Sequence, residues 1–258
     1  MTLQRRGGAA AFSESAEAYA ATMAPSLRPV AARVVERARL QPGERVLDIG
    51  TGTGNAARLA GGDGRQVTGL DGAAGMLAIA RRALPDIELV EADFMAPPFA
   101  PGSFDVALSA HALLFADDRV AALAAWLRVL RPGGRLSLSV PGPGDVVPIT
   151  VFAPVYERYE LRWGNDYPMR DEVTGWAASA GYESIETDAD PSVRIRLRDA
   201  AAFHQWLRTG SRGRATADWT AAQRQSFADD LLAIAPRDDE GWVSLPFGAL
   251  YLTARRPV

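Results

Sequence analysis

The sequence predicts an α/β fold built on a doubly wound, mostly parallel sheet, and three observations carry that expectation. Short apolar runs alternate with helical patterns between residues 27 and 140. Pro-Gly and Gly-Gly pairs punctuate these runs. A glycine-rich turn joins the first run directly to a helical stretch. Strands alternating with helices make βαβ units, and in such a sheet ligands sit beyond the carboxyl ends of the strands.

Each element has its own signal. Leu27, Val30, Ala31, Val34, Val35 and Ala38 recur at helical spacing and form one face of a helix ending near Leu40. Residues 45–49 read as a short buried strand, 50–54 as a turn and 56–59 as the start of a helix. The pattern repeats with strands at 66–70, 87–90 and 104–108 and a helix at 75–83. Val120, Leu123, Ala124, Leu127 and Leu130 mark another helix face, stopped by Pro132, Gly133 and Gly134 before a fifth strand at 135–140. Beyond residue 144 the regularity weakens. Residues 151–163 are aromatic and helical in pattern, 182–198 contain strand-like pieces, 199–210 and 218–234 look helical, and 249–254 read as a last strand.

Composition narrows the chemistry. The 258 residues suit one α/β domain, with 48 % apolar and 23 % charged residues. A net charge of −3 gives no basic excess for nucleic-acid phosphates. There is no cysteine, which excludes disulfides, thiol nucleophiles, cysteine-ligated zinc and iron–sulfur clusters. Every basic residue is arginine, which excludes a phosphate-loop lysine, a Schiff base and a Tyr–Lys dehydrogenase pair. With His111 and His204 the only histidines, no metal site is expected. Arg5 and Arg6 lack the long apolar run of an export signal, so a solvated terminus is expected. No apolar stretch nears the roughly 20 residues that span a bilayer, and a cytoplasmic protein is the default expectation.

The turn D-I-G-T-G-T-G at residues 48–54 is the strongest local signal. Glycine permits positive φ and lets a ligand approach the backbone. The spacing Gly52, Gly54, Ala57 also matches a dinucleotide fingerprint, so a nicotinamide oxidoreductase stays open at this point. Asp48 ends the first strand, where a carboxylate can face a cationic group. Asp71 ends the second, where it can accept hydrogen bonds from ribose hydroxyls. Asp93 and Phe94 end the third, placed to meet an adenine amino group and ring, although Phe94 equally suits core packing.

The series V-L-D-I-G-T-G-T-G, V-T-G-L-D-G-A-A-G-M-L, E-A-D-F, S-F-D-V and R-V-L-R-P-G-G-R-L, in this order over residues 27–140, resembles class I S-adenosylmethionine-dependent methyltransferases, above all the bacterial small-molecule enzymes of the methyltransferase type 11 group. The resemblance implies a Rossmann-like seven-stranded sheet whose last strand, at 249–254, runs antiparallel between the fifth and sixth. It implies one domain over 1–258, with 12–140 as the N-terminal helices and cofactor-binding half, and 145–180 and 199–235 as lid helices that select the substrate. Gly50, Thr51, Gly52 and Gly54 would line the methionine part of S-adenosylmethionine, and Asp48 would orient its amino group. Asp71 and Gly72 would hold the ribose, Met76 would touch the adenine, and Asp93 and Phe94 would read its edge. Ser109 would lie near the sulfonium, and Tyr19 would close over the cofactor. At Gly72 the sequence departs from the family, which often has a serine following the acidic residue.

Methyl transfer from a sulfonium needs an in-line nucleophile and a water-free site, with a general base where the nucleophile carries a proton. His111, two residues past Ser109, is the candidate base and a candidate contact to the acceptor. Tyr156, Tyr159, Trp163 and His204 are candidate substrate-binding residues, and aromatic rings suit a flat or apolar acceptor. Helix packing explains the same rings equally well. The expected partner is a small-molecule methyl acceptor, such as a secondary metabolite, met by a monomer or homodimer without nucleic acid or membrane. A non-methylating S-adenosylmethionine enzyme and an inactive partner are the alternatives.

Overall fold

The computed structural model describes residues 8–142, 149–161, 167–208 and 215–258. Arg5, Arg6 and Trp163 therefore lie outside the described residues. The chain opens with helices α1 (Gly8–Glu14) and α2 (Ala16–Ala38), followed by β1 (Arg45–Ile49) and α3 (Asn55–Ala60). Next come β2 (Gln66–Asp71), α4 (Ala74–Ala83), β3 (Glu88–Glu91), β4 (Phe104–Ala110), α5 (Arg119–Val129) and β5 (Leu130–Val140). A short helix α6 (Ala153–Arg158) precedes α7 (Arg170–Ser179), β6 (Glu183–Asp190), β7 (Arg194–Leu197) and α8 (Ala200–Leu207). The described elements end with α9 (Ala221–Ile234), β8 (Val243–Pro246) and β9 (Ala249–Arg255).

Seven strands form one sheet in the order β3-β2-β1-β4-β5-β9-β6. All pairs are parallel except those of β9, which runs antiparallel to both β5 and β6, as the sequence led us to expect. The interior strand β1 is apolar on both faces, with Val46, Leu47 and Ile49 fully buried, because helices cover both sides of a parallel sheet. The chain turns from β1 one way to β2 and β3 and the other way to β4 and β5. This reversal opens a crevice at the carboxyl end of β1, and the glycine turn stands there.

Each face has its own core. On one, Leu27, Val30 and Val34 of α2 meet Val46, Val106 and Leu108. On the other, Leu123 and Trp126 of α5 and Val173 and Ala177 of α7 meet Leu47, Ile49, Ala107 and Leu138. The alternation of Val106, Ala107 and Leu108 between the two cores follows the period of a strand. An ion pair ties this assembly together: the half-buried Arg135 in the middle of β5 reaches the Glu44 carboxylate at 2.7 Å and the last-turn carbonyl of Ala38 at 2.9 Å.

The strand-like pieces expected at 182–198 are β6 and β7, and β7 leaves the main sheet to pair with β8 in a two-stranded ribbon. Within the segment 145–180, expected as a lid, one helix lies on the sheet instead. Val173 and Ala177, one turn apart, bury α7 against the sheet beside α5, so α7 is a flanking helix. The appended unit consists instead of α6, α8, α9 and the β7–β8 ribbon, packed on the α2 side through Phe203, Trp206, Phe227 and Val243.

Trp126 joins core and crevice. Its ring is fully buried, and its indole N–H donates to the Phe94 carbonyl at 2.9 Å. Trp126→Phe should therefore lower stability by about 1–3 kcal/mol, from lost volume and one unpaired carbonyl. Urea denaturation followed by circular dichroism measures the change; an unaltered midpoint would show that this bond does not hold the loop.

Candidate active site

The turn after β1 is braced by two carboxylates. The Gly50 and Thr51 N–H groups both donate to the Leu70 carbonyl, at 2.8 and 2.9 Å, which staples the turn to β2. Asp48 is almost fully buried, and its Oδ2 accepts from Thr51 Oγ1 at 2.7 Å and from the Ala57 N–H at 2.9 Å. Asp71 receives the Gly52 N–H on one oxygen and the Ala73 N–H on the other, both at 2.8 Å. Burial pushes the Asp48 carboxyl up to about 6, against the lowering effect of its two donors. Burial raises Asp71 as well.

The three glycines of the turn have different reasons. All take positive φ: 68° at Gly50, 55° at Gly52 and 88° at Gly54. A Cβ on Gly50 would stand 2.3 Å from the Ala112 Cβ, and one on Gly54 would stand 2.3 Å from Leu84 Cδ1. Those two positions are closed by the protein itself. Gly52 alone has no side chain near its absent Cβ, so it is the glycine that leaves room for a ligand.

The neighbouring strand ends complete the crevice. The Ala92 N–H donates to the Asp71 carbonyl at 3.1 Å and sets the start of the following loop. There the exposed Asp93 accepts the Met95 N–H at 2.8 Å, and Trp126 holds the Phe94 carbonyl. Three carboxylates thus stand at the carboxyl ends of three adjacent strands. Over them lies the N-terminal segment. Met76 is buried with Ala16 and Ala73 against Phe12 and Tyr19. Burial and the nearby Asp71 charge push the Tyr19 hydroxyl up to about 12. Ser13 Oγ accepts the Gly75 N–H at 3.2 Å, and a Cβ on Gly75 would stand 2.4 Å from the Ser13 carbonyl oxygen. Gly72 faces Ala9 of α1. Phe12 packs edge-on against Phe115, with centroids 5.0 Å apart, and so bridges the crevice. Ser13, Phe12 and Phe115 carry no motif, and the sequence reading missed them.

His111 sits just past β4 with a left-handed φ of 63°. Its N–H donates to the Ser139 carbonyl at 3.0 Å, and its Nδ1 lies 3.1 Å from Ser139 Oγ. The ring meets Phe247 edge-on at 5.4 Å, and Nε2 is buried with no partner among the described residues. Burial lowers the imidazole to about 4, so it is neutral near pH 7 and a weak base there. Ser109 Oγ is also buried, with no hydrogen-bond partner among the described residues. Strand alternation places Ser109 with Ala107 on the α5 face, whereas Ser139 lies with Ser137, which bonds to α2. Ser109 and Ser139, the residue that holds His111, therefore point to opposite faces of the sheet.

The remaining described candidates lie between packed helices. Tyr156 is buried against Phe227. Tyr159 stacks on Trp219 and donates to Asp230 at 2.9 Å. His204 on α8 faces Asp229 of α9, with Nε2 at 3.6 Å from the carboxylate. Among the described residues no group of three or more His, Asp or Glu side chains could hold a metal ion.

Comparison with known proteins agrees with this frame. A family model described as a methyltransferase domain matches residues 47–138. The demethylmenaquinone methyltransferase of Thermus thermophilus is 39 % identical over 67 % of this chain and 86 % of its own. That of Renibacterium salmoninarum is 36 % identical over 50 % of this chain and 53 % of its own. The chain spans about half the length of the first curated relatives it matches. Among solved structures, the [4+2]-cyclase SpnF superposes with a TM-score of 0.60 at 23 % identity, over 90 % of this chain and 81 % of that one, which shows a shared fold. The chain belongs to the class I S-adenosylmethionine-dependent methyltransferases.

Two outcomes follow from the glycines and the titrating groups. Gly50→Ala should cost about 2–4 kcal/mol of stability, from left-handed strain and the clash with Ala112. Gly52→Ala should leave most of the stability and weaken S-adenosylhomocysteine binding roughly tenfold or more, about 1.4 kcal/mol. Thermal melts and calorimetry separate the two, and equal effects would contradict the assignment.

Asp48 and His111 oppose each other in pH. Between pH 6.5 and 4 the unfolded chain protonates its histidine while folded His111 stays neutral, so stability falls as pH falls. Between pH 6 and 3.8 folded Asp48 takes up a proton before the unfolded carboxyl does, so stability rises as pH falls. Each effect is on the order of 3 kcal/mol when complete. Asp48→Asn should therefore lose stability more steeply than the parent between pH 6.5 and 4, and His111→Asn less steeply. Urea midpoints across this range are the measurement, and parallel curves for all three proteins would refute the linkage.

Proposed function

We propose that this chain transfers a methyl group from S-adenosylmethionine to carbon, oxygen or nitrogen of a small-molecule acceptor. The observation that carries this reading is the row of carboxylates at the ends of β1, β2 and β3, around the open position at Gly52. S-adenosylmethionine supplies an activated sulfonium methyl, so little covalent work falls to the protein. Asp48 uses only Oδ2 within the turn, which leaves Oδ1 for an ammonium group. Asp71 would accept from ribose hydroxyls, and Asp93 would accept from an adenine amino group. Tyr19, Phe12 and Met76 would exclude water above them.

A nicotinamide dinucleotide fits less well. Its pyrophosphate needs free N–H groups or a cation at the turn, but Asp71 already takes the Gly52 N–H. Among the described residues no arginine pairs with Asp48 or Asp71. Pyrophosphate beside these carboxylates would be repelled.

Demethylmenaquinone and aklanonic acid methyltransferases among the relatives support a flat aromatic or polycyclic acceptor. Phe247 beside His111 and Phe115 at the crevice suit such a ring. We infer a cytoplasmic enzyme, monomeric or homodimeric, that does not act on nucleic acid. Among the described residues no helix is long and apolar enough to cross a membrane.

Calorimetry with S-adenosylhomocysteine and with NAD tests the cofactor, and methyl-labelled S-adenosylmethionine with a panel of quinols and phenols tests transfer. The expected result is micromolar or tighter binding of S-adenosylhomocysteine, weak or no binding of NAD, and label in the acceptor. Tight binding of NAD alone would overturn the cofactor. An altered acceptor without label would overturn methyl transfer.

A further inference from the structure

His111 holds an unusual position for a residue at a strand end. Its left-handed φ takes the imidazole out of the alternation of β4 and sets it beside Ser139 and Phe247. A non-glycine residue in this region carries strain and persists when its surroundings fix it. Ser139 does so from two sides, holding the backbone N–H with its carbonyl and the ring with its hydroxyl. The β4–β5 register makes this possible, because Ala110 lies opposite Ser139.

Two tautomers fit the 3.1 Å separation between Nδ1 and Ser139 Oγ. If Nδ1 carried the proton, Ser139 would accept it through its hydroxyl oxygen or through its carbonyl, which also lies against the ring. The hydroxyl proton of this fully buried serine would then have no acceptor, since Ser139 Oγ makes no other hydrogen bond among the described residues. The Nε2 lone pair would be unpaired too. If Ser139 instead donates to Nδ1, Nε2–H is the one group left unpaired among the described residues. Each buried unpaired group is costly, so the arrangement with one is preferred over that with two.

We propose that His111 meets the acceptor as a hydrogen-bond donor through Nε2–H, and that Ser139 is the positioning residue that fixes this tautomer. The acceptor then brings a lone pair to Nε2: a carbonyl, enolate or phenolate oxygen beside the atom that receives the methyl. This replaces the base role expected of His111, and it agrees with a ring kept neutral by burial. A neutral imidazole donor polarises an oxygen without first having to lose a proton. The naming of a methyl acceptor rests on the methyl-transfer reading, whereas the tautomer does not.

The test uses the full chain labelled with 15N-histidine. His111 and His204 are the only histidines, so two rings appear, and His204→Gln assigns them. We expect a pyridine-like Nδ1 and a pyrrole-like Nε2 for His111 at neutral pH, with or without S-adenosylhomocysteine. Ser139→Ala should move both nitrogens toward averaged, mixed-tautomer shifts, and Ser139→Thr should restore the parent spectrum. A pyrrole-like Nδ1 in the parent protein, or a parent spectrum in Ser139→Ala, overturns the proposal. Should Ser139→Ala fail to fold, the parent spectrum decides alone. S-adenosylhomocysteine calorimetry on the same samples reports separately on the methyl-transfer reading.

Discussion

The bond from the Gly52 N–H to Asp71 is the constraint on which the crevice depends. It crosses from the turn after β1 to the end of β2 and holds a left-handed glycine with its open side toward the ligand space. Through the other oxygen the same carboxylate receives the Ala73 N–H at the start of α4. Through its carbonyl Asp71 receives Ala92 and so orders the loop to Asp93. Three strand ends are thus referred to one residue. Asp48 does the same work one layer lower, tying Thr51 and Ala57 beneath the turn.

Much of this was legible in the sequence because it is local. Strands, helix faces and the glycine turn are patterns over four to twelve residues, and the acids stand where strands end. The antiparallel last strand was legible only through resemblance, since nothing in A-L-Y-L-T-A states its neighbours. What escaped depends on segments far apart in the chain. That Asp48 faces inward follows from the Thr51 and Ala57 bonds. That Gly50 must be glycine follows from Ala112, which belongs to another strand end. The grip of Ser139 on His111 follows from strand register, and the only sign in the sequence is the alternation of serines in L-S-L-S-V.

The aromatic rings show a different limit. Tyr156 and Tyr159 recur at helical spacing after the fifth strand, which fits a substrate wall and a packed helix alike. The structure settles their surroundings: Phe227 and Trp219 cover them, and Asp230 takes the Tyr159 hydroxyl. Rings beside the crevice come instead from Phe12 and Phe115, and Phe247 stands by His111, all in segments without periodicity. An aromatic stripe on a helix marks a face that something covers, and a neighbouring helix is the commonest cover.

The position of β9 has a consequence for synthesis. This strand is the last of the nine described strands in chain order, yet it lies inside the sheet between β5 and β6. Until residues 249–255 emerge from the ribosome, β5 presents an unpaired edge and β6 has no partner in the sheet. The cofactor-binding half, β1 to β5, can assemble earlier from contacts close in sequence. A growing chain therefore passes through a stage with a formed glycine turn and an open, apolar strand edge. At that stage it is most exposed to pairing with other chains, and early binding of the nucleoside would stabilise the half already built.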